Sequence, residues 1–110
     1  MISFFNLLKL SIHYLEKSKY VKMGKSEICP LGKEITTKSE CEDALKDAYL
    51  LGITLKSNAL VYGSWDHVPY QCSYQPSGDQ AFYFNQKEVY NAEKFINGEH
   101  IMICKEGNNL

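Results

Sequence analysis

The chain contains no arginine: all twelve of its basic residues are lysine. Arginine's planar fork makes bidentate contacts with guanine, phosphate and carboxylate, whereas lysine offers a point charge. With thirteen acids against those lysines and a formal net charge of −1, no nucleic-acid partner is expected. No apolar run approaches the ~20 residues that a membrane span needs. No C-x-x-C pair occurs, which removes the usual redox motif and the close ligand pairs of a zinc ribbon or finger. No N-x-S/T sequon occurs either, so glycosylation says nothing about compartment.

What is present suits one small folded domain. A chain of 110 residues, 45% hydrophobic and 23% charged, fits one core of modest size. Charge is unevenly spread. Residues 1–25 carry Lys9, Lys17, Lys19, Lys22 and Lys25 against Glu16 alone, a surplus of +4 that leaves the remainder at −5. Residues 1–18 read as an amphipathic helix, with Phe5, Leu8, Ile12 and Leu15 recurring at spacings of three and four. They also read as a degenerate signal or anchor, because Lys9 interrupts the apolar stretch and no basic residue precedes it. This segment carries a weak possibility of contact with a membrane or partner helix.

Residues 19–106 form the predicted domain, with 107–110 as a tail. Lys19 to Met23 alternates weakly, as a first strand, and Cys29-Pro30-Leu31-Gly32 makes a rigid corner. Thr37 with Glu40 forms a capping-box pair, Cys41, Ala44, Leu45 and Ala48 share one helix face, and Gly52 is a stop signal. The pattern predicts a helix over 38–51, with Glu42 and Lys46 as an i,i+4 pair. Ile53–Leu55 and Leu60–Tyr62 read as two short strands around a Lys56-Ser57-Asn58 turn. Further strands are predicted at 70–74, 81–85 and 100–105, with a turn at Pro76 to Asp79. Residues 86–96 fit either a capped helix or the approach to an Asn97-Gly98 hairpin. The expected fold class is α+β: one capped helix on a small, mostly antiparallel sheet.

Cysteines stand at 29, 41, 72 and 104. Their even number and wide spacing in a short chain favour structural disulfides, and four cysteines permit three pairings. Cys41 lies on the apolar helix face and Cys72 on a strand expected to cover it, so Cys41–Cys72 is favoured. Cys29–Cys104 would then clamp the ends of the domain. Such a scaffold belongs in an extracellular or secretory compartment. Buried free thiols in a cytoplasmic protein are the alternative.

The order Cys29, Ile35-Thr36-Thr37, Glu40-Cys41-Glu42-x-Ala44, Leu51-Gly52, Val68-Pro69-x-x-Cys72, Phe82-Tyr83-Phe84-Asn85 and Ile103-Cys104-Lys105 resembles uncharacterised four-cysteine modules of algae, protists and marine invertebrates. The resemblance covers about residues 29–105. It implies a module boundary and an extracellular setting, and no activity. Gln71 departs from it, because those modules carry Gly before the third cysteine. The arrangement is also loosely similar in architecture to apple/PAN modules, in which a helix is disulfide-bonded to a small sheet.

No catalytic motif is present. His13, His67 and His100 lie far apart, nothing local suggests a nucleophile, base and orienting acid in mutual reach, and a bridged Cys72 would leave His67 no thiolate partner. No spacing suggests a metal site, and no cofactor is expected. The most suggestive cluster is Trp65, Asp66 and His67: an exposed Trp65 beside Asp66 and near Tyr70 and Tyr74 could stack on a sugar while the carboxylate accepts hydroxyl hydrogen bonds. The competing interpretation has Trp65 as a lid over a disulfide and Asp66 as a turn cap. The reading is a non-enzymatic extracellular recognition module for a glycan or protein surface. The alternatives are an intracellular interaction domain with reduced thiols and a small thiol-dependent enzyme.

Overall fold

The computed structural model describes residues 17–87 and 99–107, and within them one α-helix lies over one five-stranded sheet. The elements are β1 (Tyr20–Lys22), α1 (Lys38–Lys46), a 3-10 helix (Ala48–Leu51), β2 (Val61–Gly63), β3 (Gln71–Tyr74), β4 (Phe82–Asn85) and β5 (Ile101–Lys105). The strand order is β1-β5-β3-β4-β2. All neighbours are antiparallel except β2 and β4, which run parallel. The expected α+β architecture is therefore the observed one. The readings of residues 1–16, of 88–96 with the Asn97-Gly98 turn, and of the last three residues fall outside the described residues.

Thr37 starts α1. Its hydroxyl accepts a hydrogen bond from the Glu40 amide at 3.1 Å, which satisfies a donor that no helical carbonyl can reach. The Glu40 carboxylate faces Lys105 Nζ on β5 at 3.6 Å. The helix predicted over 38–51 is divided at Asp47. The Asp47 amide donates to the Ala44 carbonyl, and its own carbonyl accepts from the Leu50 amide, both in the tighter three-residue pattern. The Asp47 carboxylate accepts the Ser18 hydroxyl at 2.9 Å, joining the helix end to the segment before β1. Gly52, at φ +71°, then closes the 3-10 turn. Its amide bonds Tyr49 O while the Ile53 amide bonds Ala48 O, the paired bonds of a Schellman stop.

Residues on the three central strands, β5, β3 and β4, alternate between two covered faces. The front face meets the helix. Cys41, Ala44, Leu45 and Ala48 pack there against Cys72, Tyr74, Phe82, Phe84, Ile103, Tyr20, Ile35 and Ile53. The back face carries two smaller clusters, Cys29 with Met102 and Cys104, and Val68 with Ala81 and Tyr83. The strand expected at Ile53–Leu55 does not form. Ile53 is buried in the front core with Leu55 and Leu60 against it, and the Thr54 carbonyl accepts the Tyr74 hydroxyl at 2.7 Å. Front-face packing thus takes the residues that a local hairpin would have used, and β2 pairs with β4 instead.

Two disulfides join these layers. Cys41–Cys72 links α1 to β3, and Cys29–Cys104 links the segment after β1 to β5. No free cysteine remains. These are the pairings favoured from helix face and strand position.

Candidate binding surfaces

Side chains of the Trp65 cluster do not converge. The chain between β2 and β3 crosses the back face beneath β4 and carries Trp65, Asp66 and His67. Asn85 holds this crossing in place. Its side-chain oxygen accepts the Trp65 and Lys87 amides, and its amide nitrogen donates to the carbonyls of Trp65 and Val68. Three of these four hydrogen bonds from the buried side chain go to the loop. Trp65 stands edge-on to Tyr83, with ring centroids 5.7 Å apart. Its ring also lies against Gly63, where a Cβ would come within 2.6 Å of it. It is half-buried on the back face, whereas Cys41 and Cys72 lie in the front core, so it is no lid over that disulfide.

Asp66 is exposed and ion-paired with Lys87. The hydrogen bond and charge of that lysine hold its carboxyl below the usual carboxylate range. Tyr74 is buried on the opposite face with its hydroxyl on Thr54. Tyr70 is half-buried, and desolvation, with Glu34 nearby, raises its phenol above its ordinary value. Four residues close together in sequence are thus divided between two faces and the loop that joins them.

A different surface is concave. A groove of about 730 Å³ lies between α1 and the segment 53–60. Leu45, Ala48, Ile53, Leu55 and Leu60 supply its apolar side, and Lys38, Glu42, Lys46 and Asn58 its polar one. Its volume falls within the range of about 300–1,000 Å³ usual for ligand clefts. The residues that edge it on the helix (Lys38, Glu42, Lys46 and Tyr49) recur at helical spacing, adjacent to the core face. Glu42 and Lys46 form no ion pair with each other, contrary to the expected i,i+4 contact, and both project at the rim. Tyr49 is 60% exposed and Tyr62, on the neighbouring edge strand, 47%. The Tyr62 ring stacks on Phe84 at 6.1 Å, its hydroxyl donates to Gln86, and Lys38 Nζ lies 4.8 Å above its centroid. The sequence signal for this surface was a tyrosine one position beyond the buried Ala48, on a helix whose core face was otherwise small or aliphatic.

Among the described residues, no group of three or more His, Cys, Asp or Glu is placed to hold a metal ion. None of their helices is long and apolar enough to cross a membrane. Cys72 is bridged, so it offers His67 no thiolate. No protein-family model, curated protein sequence or solved structure matches the chain.

Proposed function

We propose that the protein is a non-enzymatic recognition module of the extracellular space or secretory pathway, and that it binds the surface of a partner protein in the groove beside α1. One observation carries the reading: an apolar cleft with a polar rim is built on a helix that a disulfide ties to the sheet. A side chain inserted from a partner would lose its water against Leu45, Ile53 and Leu60, while Lys38, Glu42, Lys46 and Asn58 would select its polar neighbours. The two disulfides support the oxidising compartment, since such bridges persist outside the reducing cytosol. A glycan remains the less favoured ligand, because Trp65 rests against Gly63 and Tyr83, and Asp66 is engaged by Lys87.

The test uses binders selected from a random-peptide phage library on the native chain. Ala59 is exposed and lines the groove, so Ala59→Arg fills the cleft without disturbing the core. Selected peptides should lose about tenfold or more in affinity for Ala59→Arg and bind Trp65→Ala as they bind the native protein. Peptides that ignore Ala59→Arg, or a library that yields none, would refute the reading.

A further inference from the structure

The corner after Cys29 presents apolar side chains to solvent on a rigid frame. Pro30 to Lys33 form a β-turn closed by the Lys33 amide on the Pro30 carbonyl at 2.9 Å. Gly32 takes φ +84° at its third position, the requirement of a type II turn. The Gly32 amide donates to the Glu34 carboxylate at 3.1 Å, and the disulfide from Cys29 to Cys104 anchors the turn to β5. Leu31 at its tip is 97% exposed, and Ile28 on its approach is 37% exposed. Val21 and Met23 flank the same back-face cluster of Cys29, Met102 and Cys104 and are only partly buried. A lone exposed leucine would mean little. Here one short stretch places it with three further apolar residues around a single crosslink.

Charge gives this strip a partner. Lys17 is ion-paired with Glu106 at 3.0 Å, and residues 18–34 carry Lys19, Lys22, Lys25 and Lys33 against Glu27 and Glu34, a surplus of +2 in a chain whose total is −1. Lys19, Lys22 and Lys25 are exposed. Both glutamates are turned onto backbone amides, Glu27 onto that of Gly24 and Glu34 onto that of Gly32. Apolar side chains that enter an acyl boundary, ringed by lysines that face anionic headgroups, are the two signals that together hold a protein on a membrane surface.

We propose that the 28–33 turn is a membrane-contact finger that seats Leu31 and Ile28 in a bilayer bearing anionic lipid, with the surrounding lysines on its headgroups. This contact is separate from the groove beside α1 and does not depend on it.

The full chain is sedimented with vesicles of phosphatidylcholine alone and of phosphatidylcholine containing phosphatidylserine. Native protein should partition several-fold more strongly into the anionic vesicles, and added salt should weaken the binding. Leu31→Ser should lower partitioning about tenfold or more, the effect of withholding one leucine side chain from the acyl boundary. It should leave the thermal unfolding curve unchanged, because Leu31 touches almost nothing in the fold. Lys25→Glu with Lys33→Glu should abolish the preference for anionic vesicles. The chain carries its N-terminal segment in every arm, so a difference between native and Leu31→Ser belongs to the turn. Equal partitioning of those two, equal binding to both kinds of vesicle, or no binding to either would overturn the proposal. A turn that docks on a protein instead would give the last result. Ala59→Arg should bind vesicles as the native chain does, which separates this contact from the groove.

Discussion

Gln71 opens β3 with φ +68°, a left-handed conformation that costs a side-chain-bearing residue about 1–2 kcal/mol. Its side-chain oxygen is buried with no hydrogen-bond partner among the described residues, which adds a desolvation cost. Glycine adopts this conformation without the steric cost of a side chain. Gln71→Gly should stabilise the protein by about 1 kcal/mol, less than the summed strain because glycine loses more freedom on folding. Urea unfolding would register this as a higher midpoint at unchanged slope. Asn85 has the opposite character, since every polar atom of its side chain is used. Asn85→Ala would orphan one amide and two carbonyls of the back-face crossing, together with the Lys87 amide, at a cost of about 3 kcal/mol. Trp65 sits on that crossing, so its fluorescence should shift to the red and become accessible to quenchers in the variant. Unchanged emission would show that the loop is held by something other than Asn85.

At the level of elements, β4 is covered on both sides, and its Tyr83 lies on the back face. Burial and a hydrogen bond to Asp79 push the Tyr83 phenol up to about 12, against about 10 in an unfolded chain. The unfolded state therefore releases this proton first. The contribution of Tyr83 is complete below pH about 10 and is lost as pH climbs toward 12, amounting to about 3 kcal/mol. Tyr20, Tyr70 and Tyr74 are shifted in the same direction by burial. Spectrophotometric titration should show late, cooperative ionisation of part of the tyrosine signal, coincident with unfolding. Tyr83→Phe should reduce the alkaline loss of stability.

The same strand shows what could be read beforehand. A strand was expected at 81–85, and in it Phe82 and Phe84 face away from Ala81 and Tyr83, because period two is a local property of extended backbone. The Thr37 cap and the Gly52 stop were legible for the same reason. The break at Asp47 was not, since it turns on Ser18, which lies 29 residues away in sequence. Nor was the parallel pairing of β2 with β4, which no turn signal marks. That pairing sends residues 64–70 across the back face, separating Trp65 and Asp66 from Tyr74. A site assembled from sequence neighbours could not foresee it. The groove was equally hidden, because it joins a helix face to residues 53–60, whose local pattern is that of a strand and turn.

Taken whole, the molecule is a thin front core with two small back clusters, and its crosslinks span most of its length. Cys29–Cys104 and Cys41–Cys72 close separations of 75 and 31 residues. In the chain-entropy account, these withdraw about 4.5 and about 3.7 kcal/mol of freedom from the unfolded state. Either figure is a large share of the roughly 5–15 kcal/mol by which native domains are stable. The two crosslinks also differ in setting. Cys41 and Cys72 lie in the helix-to-sheet core, while Cys29 is in a smaller cluster bordered by partly exposed Val21 and Met23. Removing Cys41–Cys72 with paired Ala substitutions should loosen α1 from the sheet and open the groove. Removing Cys29–Cys104 should free the Leu31 turn while the helix stays packed. Hydrogen exchange would separate the two, with protection lost over 38–51 in the first variant and over 28–34 in the second. Full reduction should remove both constraints and abolish the near-ultraviolet dichroism of the buried aromatic residues. A reduced chain that kept that signal, with the same urea midpoint, would show that the core alone holds the fold and that the crosslinks are not what makes it rigid.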